Sequence, residues 1–103
     1  RTSLHHAFAV AQLEAAAARA HAQLRTLSEI RPLAPLIGHA RTALASACTA
    51  DLDRAATALI DAAKREDRPV RMQLARAVTD LATASRVIRR HGRFFRRLSL
   101  PSS

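Results

Sequence analysis

The sequence has little of what catalytic, metal-binding and membrane-spanning proteins usually carry. It contains two glycines, four prolines and three phenylalanines, and its single cysteine excludes an intramolecular disulfide. It has no stretch of about 18 uncharged apolar residues, so we predict no transmembrane segment. It also lacks a glycine-rich phosphate loop, a nucleophile elbow and paired carboxylates in an apolar setting. We therefore predict a chain that is not an enzyme and has no catalytic residue, cofactor or metal site.

Alanine and arginine dominate what is present. The 103 residues include 24 alanines and 16 arginines against one lysine and eight acidic residues, and the net charge is +9. The apolar content of 49% argues against disorder, and the length suits one domain. We expect a single helical-bundle domain over 1–103, either complete or a segment of a longer protein, with a short flexible tail over 99–103.

The position of the charge is more informative than its amount, because a GC-rich coding sequence alone enriches alanine and arginine. Residues 1–67 carry eight basic and seven acidic side chains and are nearly neutral. Residues 68–103 carry nine arginines and one acid, Asp80, which gives a net charge of +8. The last third of the chain is therefore the candidate for contact with an anionic partner.

Helical spacing is the only periodic pattern, and the signals of strands and hairpins are missing. The pattern predicts a first helix from about Ser3 to Glu29 and a second, of about 30 residues, from about Pro35. A third helix is predicted from about Arg68 to Leu98. Prolines separate or open these helices because proline cannot donate the backbone hydrogen bond of a helix interior. The expected fold class is all-α, an antiparallel three-helix bundle of long helices.

An alternative breaks the second predicted helix near Thr49, which is a residue type that caps helix N-termini. This alternative gives a four-helix bundle. In both arrangements the core is rich in alanine, which lets helices approach closely but buries little area per residue. We expect either a modestly stable bundle or one that is completed by partner subunits or by copies of itself in a homo-oligomer.

The third predicted helix carries the clearest apolar stripe. Four of its residues recur at intervals of seven, as in a coiled-coil seam: Leu74, Leu81, Ile88 and Phe95. In an antiparallel three-helix bundle the end of the third helix lies beside the end of the first. Phe94 and Phe95 should then cover the apolar residues of 27–36. The other interpretation is that these two rings stack on bases or contact a membrane interface.

Seven arginines of the third predicted helix fall outside that stripe and are expected to point away from the helix contacts. They are Arg76, Arg86, Arg89, Arg90, Arg93, Arg96 and Arg97. Guanidinium groups bind phosphate through two parallel hydrogen bonds, so these residues are the predicted anion-binding and nucleic-acid-binding site. Sequence-specific readout is not predicted, because helix-turn-helix spacing, zinc ligands and aromatic RNA-binding motifs are missing.

Serine, cysteine and histidine add little to this prediction. Ser99 follows three residues that fit the pattern of kinases directed to basic sequences, which makes it the candidate phosphorylation site. Cys48 falls on the apolar stripe of the second helix, so we expect a buried, inert thiol. No histidine has another four residues away, and helical metal motifs are therefore not predicted.

The sequence as a whole predicts a non-catalytic helical-bundle interaction module of a larger assembly. Its arginine-rich third helix would contact an anionic partner, foremost nucleic acid in a ribonucleoprotein, nucleoid or viral particle. One alternative is a protein–protein scaffold or oligomerisation bundle without nucleic acid. Another is the helical fragment of a larger enzyme. The sequence does not fix the compartment, although a location inside the cell or within a particle is favoured.

Overall fold

The computed structural model describes residues 4–95, and helices make up nearly all of that part of the chain. The helices are α1 Leu4–Leu27, α2 Ala34–Ser46, α3 Thr49–Ala63, α4 Arg68–Arg90 and α5 Gly92–Phe95, with a 3₁₀ helix at Arg31–Leu33 before α2. No strand occurs between residues 4 and 95. The predicted all-α bundle is confirmed. Between these residues, no helix combines the length and the apolar character needed to cross a membrane.

Prolines mark the two corners at one end of the bundle. Pro32, Pro35 and Pro69 each occupy one of the first two positions of a helix, where the N–H that proline lacks has no intrahelical acceptor. Asp67 precedes α4 at the N-cap position with an extended backbone. The side chain of Asp67 makes no capping hydrogen bond, so it is the prolines that explain why α2 and α4 begin where they do.

The second predicted helix is interrupted at Ala47 and Cys48, close to the break that the alternative placed near Thr49. Ala47 has a left-handed backbone, with φ of 54° and ψ of 29°, and its N–H donates to the carbonyl of Leu44. Cys48 then adopts an extended backbone at the N-cap position of α3. The expected helix of about 30 residues is thus two helices, α2 and α3, and α3 packs back against α2.

The reversal at Ala47 and Cys48 changes which ends of the bundle meet. The chain turns back once more than in a three-helix bundle, so α4 runs antiparallel to α1 and ends beside its start. The Phe94 ring accordingly stacks on the His6 ring of α1, with centroids 4.4 Å apart. The prediction that Phe94 and Phe95 cover residues 27–36 is wrong, because those residues lie at the opposite end of the bundle.

The core is thin because alanine fills many of its positions. The largest fully buried side chains are Leu13, Leu24, Leu27, Ile37, Leu44, Leu52, Leu59, Leu74 and Leu81. Fully buried alanines such as Ala20, Ala40 and Ala77 lie among them and allow close approach of the helices. Cys48 is exposed. The prediction of a buried thiol is therefore wrong, because this residue lies in the turn and not on a helix stripe.

The left-handed turn makes the substitution Ala47→Gly informative. We expect it to raise the free energy of unfolding by about 1 kcal/mol, because a side chain on a left-handed residue costs roughly this much and glycine avoids the cost. Ala45→Gly, at an exposed position within α2, is the matched control and should lower the free energy of unfolding by about 1 kcal/mol. Urea unfolding measures both, and destabilisation by both substitutions would contradict the turn at Ala47.

Candidate anion-binding surface

Three of the predicted site residues, Arg86, Arg90 and Arg93, are exposed on the outer face of the bundle. They lie close to residue 95, where the described part of the chain ends. Arg86 and Arg90 are one turn apart on α4, and Arg93 follows in α5. No acidic residue between 4 and 95 forms an ion pair with any of the three. We call these residues the arginine stripe. Their guanidinium groups can therefore bind an anion without first leaving an internal partner.

The basic surface continues toward the start of α4. Arg76 is exposed and also forms no ion pair within residues 4–95. Arg68 and Arg71, in the first turn of α4, are exposed as well. They were not among the predicted site residues. The predicted residues Arg96, Arg97 and Ser99 lie outside the part of the chain that the structure describes.

Arg89 differs from the other described site residues because it takes part in a helix contact. Its guanidinium group forms an ion pair with Asp53 of α3 and donates a 3.1 Å hydrogen bond to the Ser85 hydroxyl. Ser85 in turn donates to Asp53 over 2.9 Å. The hydrogen bonds from Arg89 and then Ser85 hold the pKa of Asp53 below its usual range. The prediction that Arg89 points away from the helix contacts is therefore wrong.

Asp80, the one acid of the last third, does not neutralise the arginine stripe. Its side chain is buried against α1, where the Nε of Arg19 lies 3.2 Å from its Oδ1. This ion pair joins α1 to α4 on the side of α4 away from Asp53. Asp80 of α4 and Asp53 of α3 are thus each paired with an arginine outside the arginine stripe, and the outer face of α4 keeps its positive charge.

Three histidines meet at the end of the bundle, beside the arginine stripe. The His5 ring centroid lies 4.6 Å from that of His91 and 5.8 Å from that of His6. The three rings line one cavity, whose other lining residues are Arg89, Arg90, Gly92, Arg93 and Phe94. We call this the histidine–arginine cavity. The sequence did not predict it, because its residues come together only when α4 ends beside the start of α1.

The surroundings of His91 oppose a positive charge on its ring. Partial burial and then the positive charges of His5, His6 and Arg90 hold the pKa of His91 below its usual range. The ring is therefore neutral near pH 7, and the cavity becomes more positive in acid. Within residues 4–95 no group of three histidine, cysteine, aspartate or glutamate side chains is placed to hold a metal ion.

These residues together suit the binding of oxyanions. Guanidinium groups of α4 and α5 face solvent, imidazoles adjoin them at one end, and Asp53 and Asp80 are held in ion pairs. Arginine binds phosphate oxygens through charge-assisted hydrogen bonds.

Comparison with protein-family models, with curated proteins and with solved structures gives no match to this chain.

Proposed function

We propose that this chain is a non-catalytic helical-bundle module that contacts the phosphate backbone of nucleic acid through α4 and α5. The observation that supports this proposal most strongly is the arginine stripe, which has no acidic partner among residues 4–95. Like charges one turn apart destabilise a helix slightly, and solvated faces usually mix both signs. A polyanion would relieve this repulsion by placing a phosphate between neighbouring guanidinium groups.

The proposed contact is independent of base sequence. Backbone phosphates carry no sequence information, and contacts to them fix only position and orientation. Between Arg76 and Arg90 the exposed positions of α4 other than arginines are Thr79 and Ala82, whose side chains are too short to reach base edges from outside a groove. The Thr79 hydroxyl, moreover, already donates to the Ala75 carbonyl. The arginines therefore supply the affinity, and that affinity should depend strongly on salt.

The test is the salt dependence of binding to a short labelled duplex of mixed sequence, followed by fluorescence anisotropy. The triple variant Arg86→Gln, Arg90→Gln, Arg93→Gln should weaken binding at low salt. It should also reduce the slope of log affinity against log salt by about 0.9 for each phosphate that is no longer neutralised, or by about 2.7 if all three arginines bind one. Duplexes of unrelated sequence should give the same result.

A matched control removes the same charge elsewhere. Arg25, Arg31 and Arg65 are exposed at the opposite end of the bundle, and changing all three to Gln leaves the net charge equal to that of the stripe variant. This control should keep nearly the parent slope. An equal reduction of the slope in both variants would show a general effect of net charge, and no binding of the parent protein at low salt would refute the proposed function.

A further inference from the structure

We propose that the histidine–arginine cavity binds one tetrahedral oxyanion and takes up protons as it does so. The ligand is a phosphate group of a nucleic-acid backbone or a free ion of the same shape, such as sulfate. The backbone source rests on the proposed function and would place one phosphate at the end of the arginine stripe. The anion site itself rests only on the residues that line the cavity.

The cationic residues that line the cavity come from the ends of three helices. His5 and His6 belong to α1, Arg90 and His91 lie at the end of α4, and Arg93 lies in α5. A protonated imidazole offers two N–H donors and a guanidinium group offers five. With the histidines protonated, five cationic side chains therefore line one open cavity, where a tetrahedral anion can accept hydrogen bonds from them.

Among residues 4–95, no acidic side chain lines the cavity to compete with an anion. The remaining charged group at its wall is Arg89, and the only acid that contacts Arg89 within residues 4–95 is Asp53 of α3. The last carbonyls of α4 carry partial negative charge and would repel an anion. Attraction must therefore come from the five cationic groups, and it depends on how many of the three imidazoles are charged.

Protonation and anion binding favour each other here for a simple electrostatic reason. In the empty cavity, positive charge on His5 and His6 opposes protonation of His91, because their ring centroids lie 4.6 and 5.6 Å from that of His91. An anion placed among the rings reverses the sign of that interaction and favours the charged form of each imidazole. By linkage, protonation of the rings must tighten the binding of the anion by the same factor.

The pH dependence of affinity follows from the number of protons taken up. Each proton coupled to binding changes the affinity by up to about tenfold for every pH unit. We therefore expect the cavity to bind weakly near pH 7.5 and at least about tenfold more tightly near pH 5.5. Arg90 and Arg93 keep their charge across this range, so they set the affinity that remains at the higher pH.

Sodium sulfate and a short oligothymidylate are suitable probes, because sulfate, phosphodiesters and thymine do not titrate between about pH 5.5 and 7.5. Histidine titrations by NMR of the unaltered protein, with ionic strength held constant by sodium chloride, should show that sulfate raises the pKa of His91. Calorimetry should show tighter binding of both probes at the lower pH, with uptake of protons. Unchanged histidine titrations in saturating sulfate would overturn the proposal, and this test needs no variant to fold.

Variants then assign the effect to the cavity. The triple variant His5→Gln, His6→Gln, His91→Gln should keep the affinity seen near pH 7.5 and lose the increase near pH 5.5. His39→Gln, at an exposed position on α2, is the control and should keep the full increase. Retention of the increase by the triple variant would overturn the proposal.

The two probes separate this inference from the proposed function. If sulfate binds with proton uptake and neither oligothymidylate nor the labelled duplex binds, the cavity is confirmed as an anion site and the nucleic-acid proposal fails. If oligothymidylate binds equally well at both pH values and sulfate leaves the histidines unchanged, the cavity proposal fails while the nucleic-acid proposal stands.

Discussion

Leu81→Ala is expected to lower the free energy of unfolding by about 3 kcal/mol. Leu81 is fully buried on the apolar face of α4. Its truncation to alanine removes the transfer free energy of the side chain and leaves a cavity beside its neighbours. Its neighbours on the same face, Ala77 and Ala84, are fully buried and have no longer side chain that can turn into the space. The thin core therefore makes each of its few leucines unusually important.

A loss of this size is a large part of the total stability, because domains of this length are stabilised by about 5–15 kcal/mol. Urea unfolding followed by circular dichroism measures the effect. Met72→Ala, on the same helix but 49% exposed, is the matched control and should cost less than about 1 kcal/mol. Equal losses for the two substitutions would contradict the packing of α4 against the core.

Acid is expected to destabilise the protein through His21, the second large effect. His21 is buried, and neither ring nitrogen has a hydrogen-bond partner among residues 4–95. Burial and then the positive charges of Arg41 and Arg25 hold the pKa of His21 below its usual range. The unfolded chain therefore binds a proton at a higher pH than the folded chain does. The free energy of unfolding is therefore highest at and above neutral pH, and it decreases as the pH falls, by up to about 1.4 kcal/mol per pH unit.

His21→Leu should stabilise the protein and make its free energy of unfolding depend less on pH. A buried polar atom without a partner costs about 1–3 kcal/mol, and leucine has a similar volume without such an atom. We expect a gain in this range near pH 7.5 and a larger gain near pH 5.5, measured by urea unfolding at both. His39→Gln should leave the acid loss as it is in the parent protein. An unchanged acid loss in His21→Leu would show that His21 does not carry it.

The start and the buried face of α4 were predictable because their signals are local. The prediction of one continuous helix to about Leu98 is wrong, because α4 ends at Arg90 and α5 begins at Gly92. Pro69 marks the start of α4, and the spacing of Leu74, Leu81 and Ile88 fixes its buried face. The outward direction of Arg86 and Arg90 follows from the same spacing, because residues of one helix hold a fixed angular relation. None of these predictions depends on which helices are neighbours.

The turn between α2 and α3 had little local signal. Ala47 is left-handed, yet alanine is the best helix former and this conformation usually belongs to glycine or asparagine. The turn decides that α4 ends beside the start of α1. The meeting of His5 with His91 depends on that arrangement, and the pairing of Arg89 with Asp53 depends on how α3 packs on α4. The arginine stripe was therefore predictable from a helical pattern, and the histidine–arginine cavity was not.

The most direct test of the central proposal is an NMR measurement of arginine side chains. In a ¹⁵N-labelled sample, an unlabelled duplex added at low salt should shift the Nε–Hε signals of Arg86, Arg90 and Arg93. The signals of Arg25, Arg31 and Arg65, at the other end of the bundle, should stay in place. Shifts confined to those three distant arginines, or no shift of the arginine stripe at saturation, would contradict the proposal that α4 and α5 form the nucleic-acid contact.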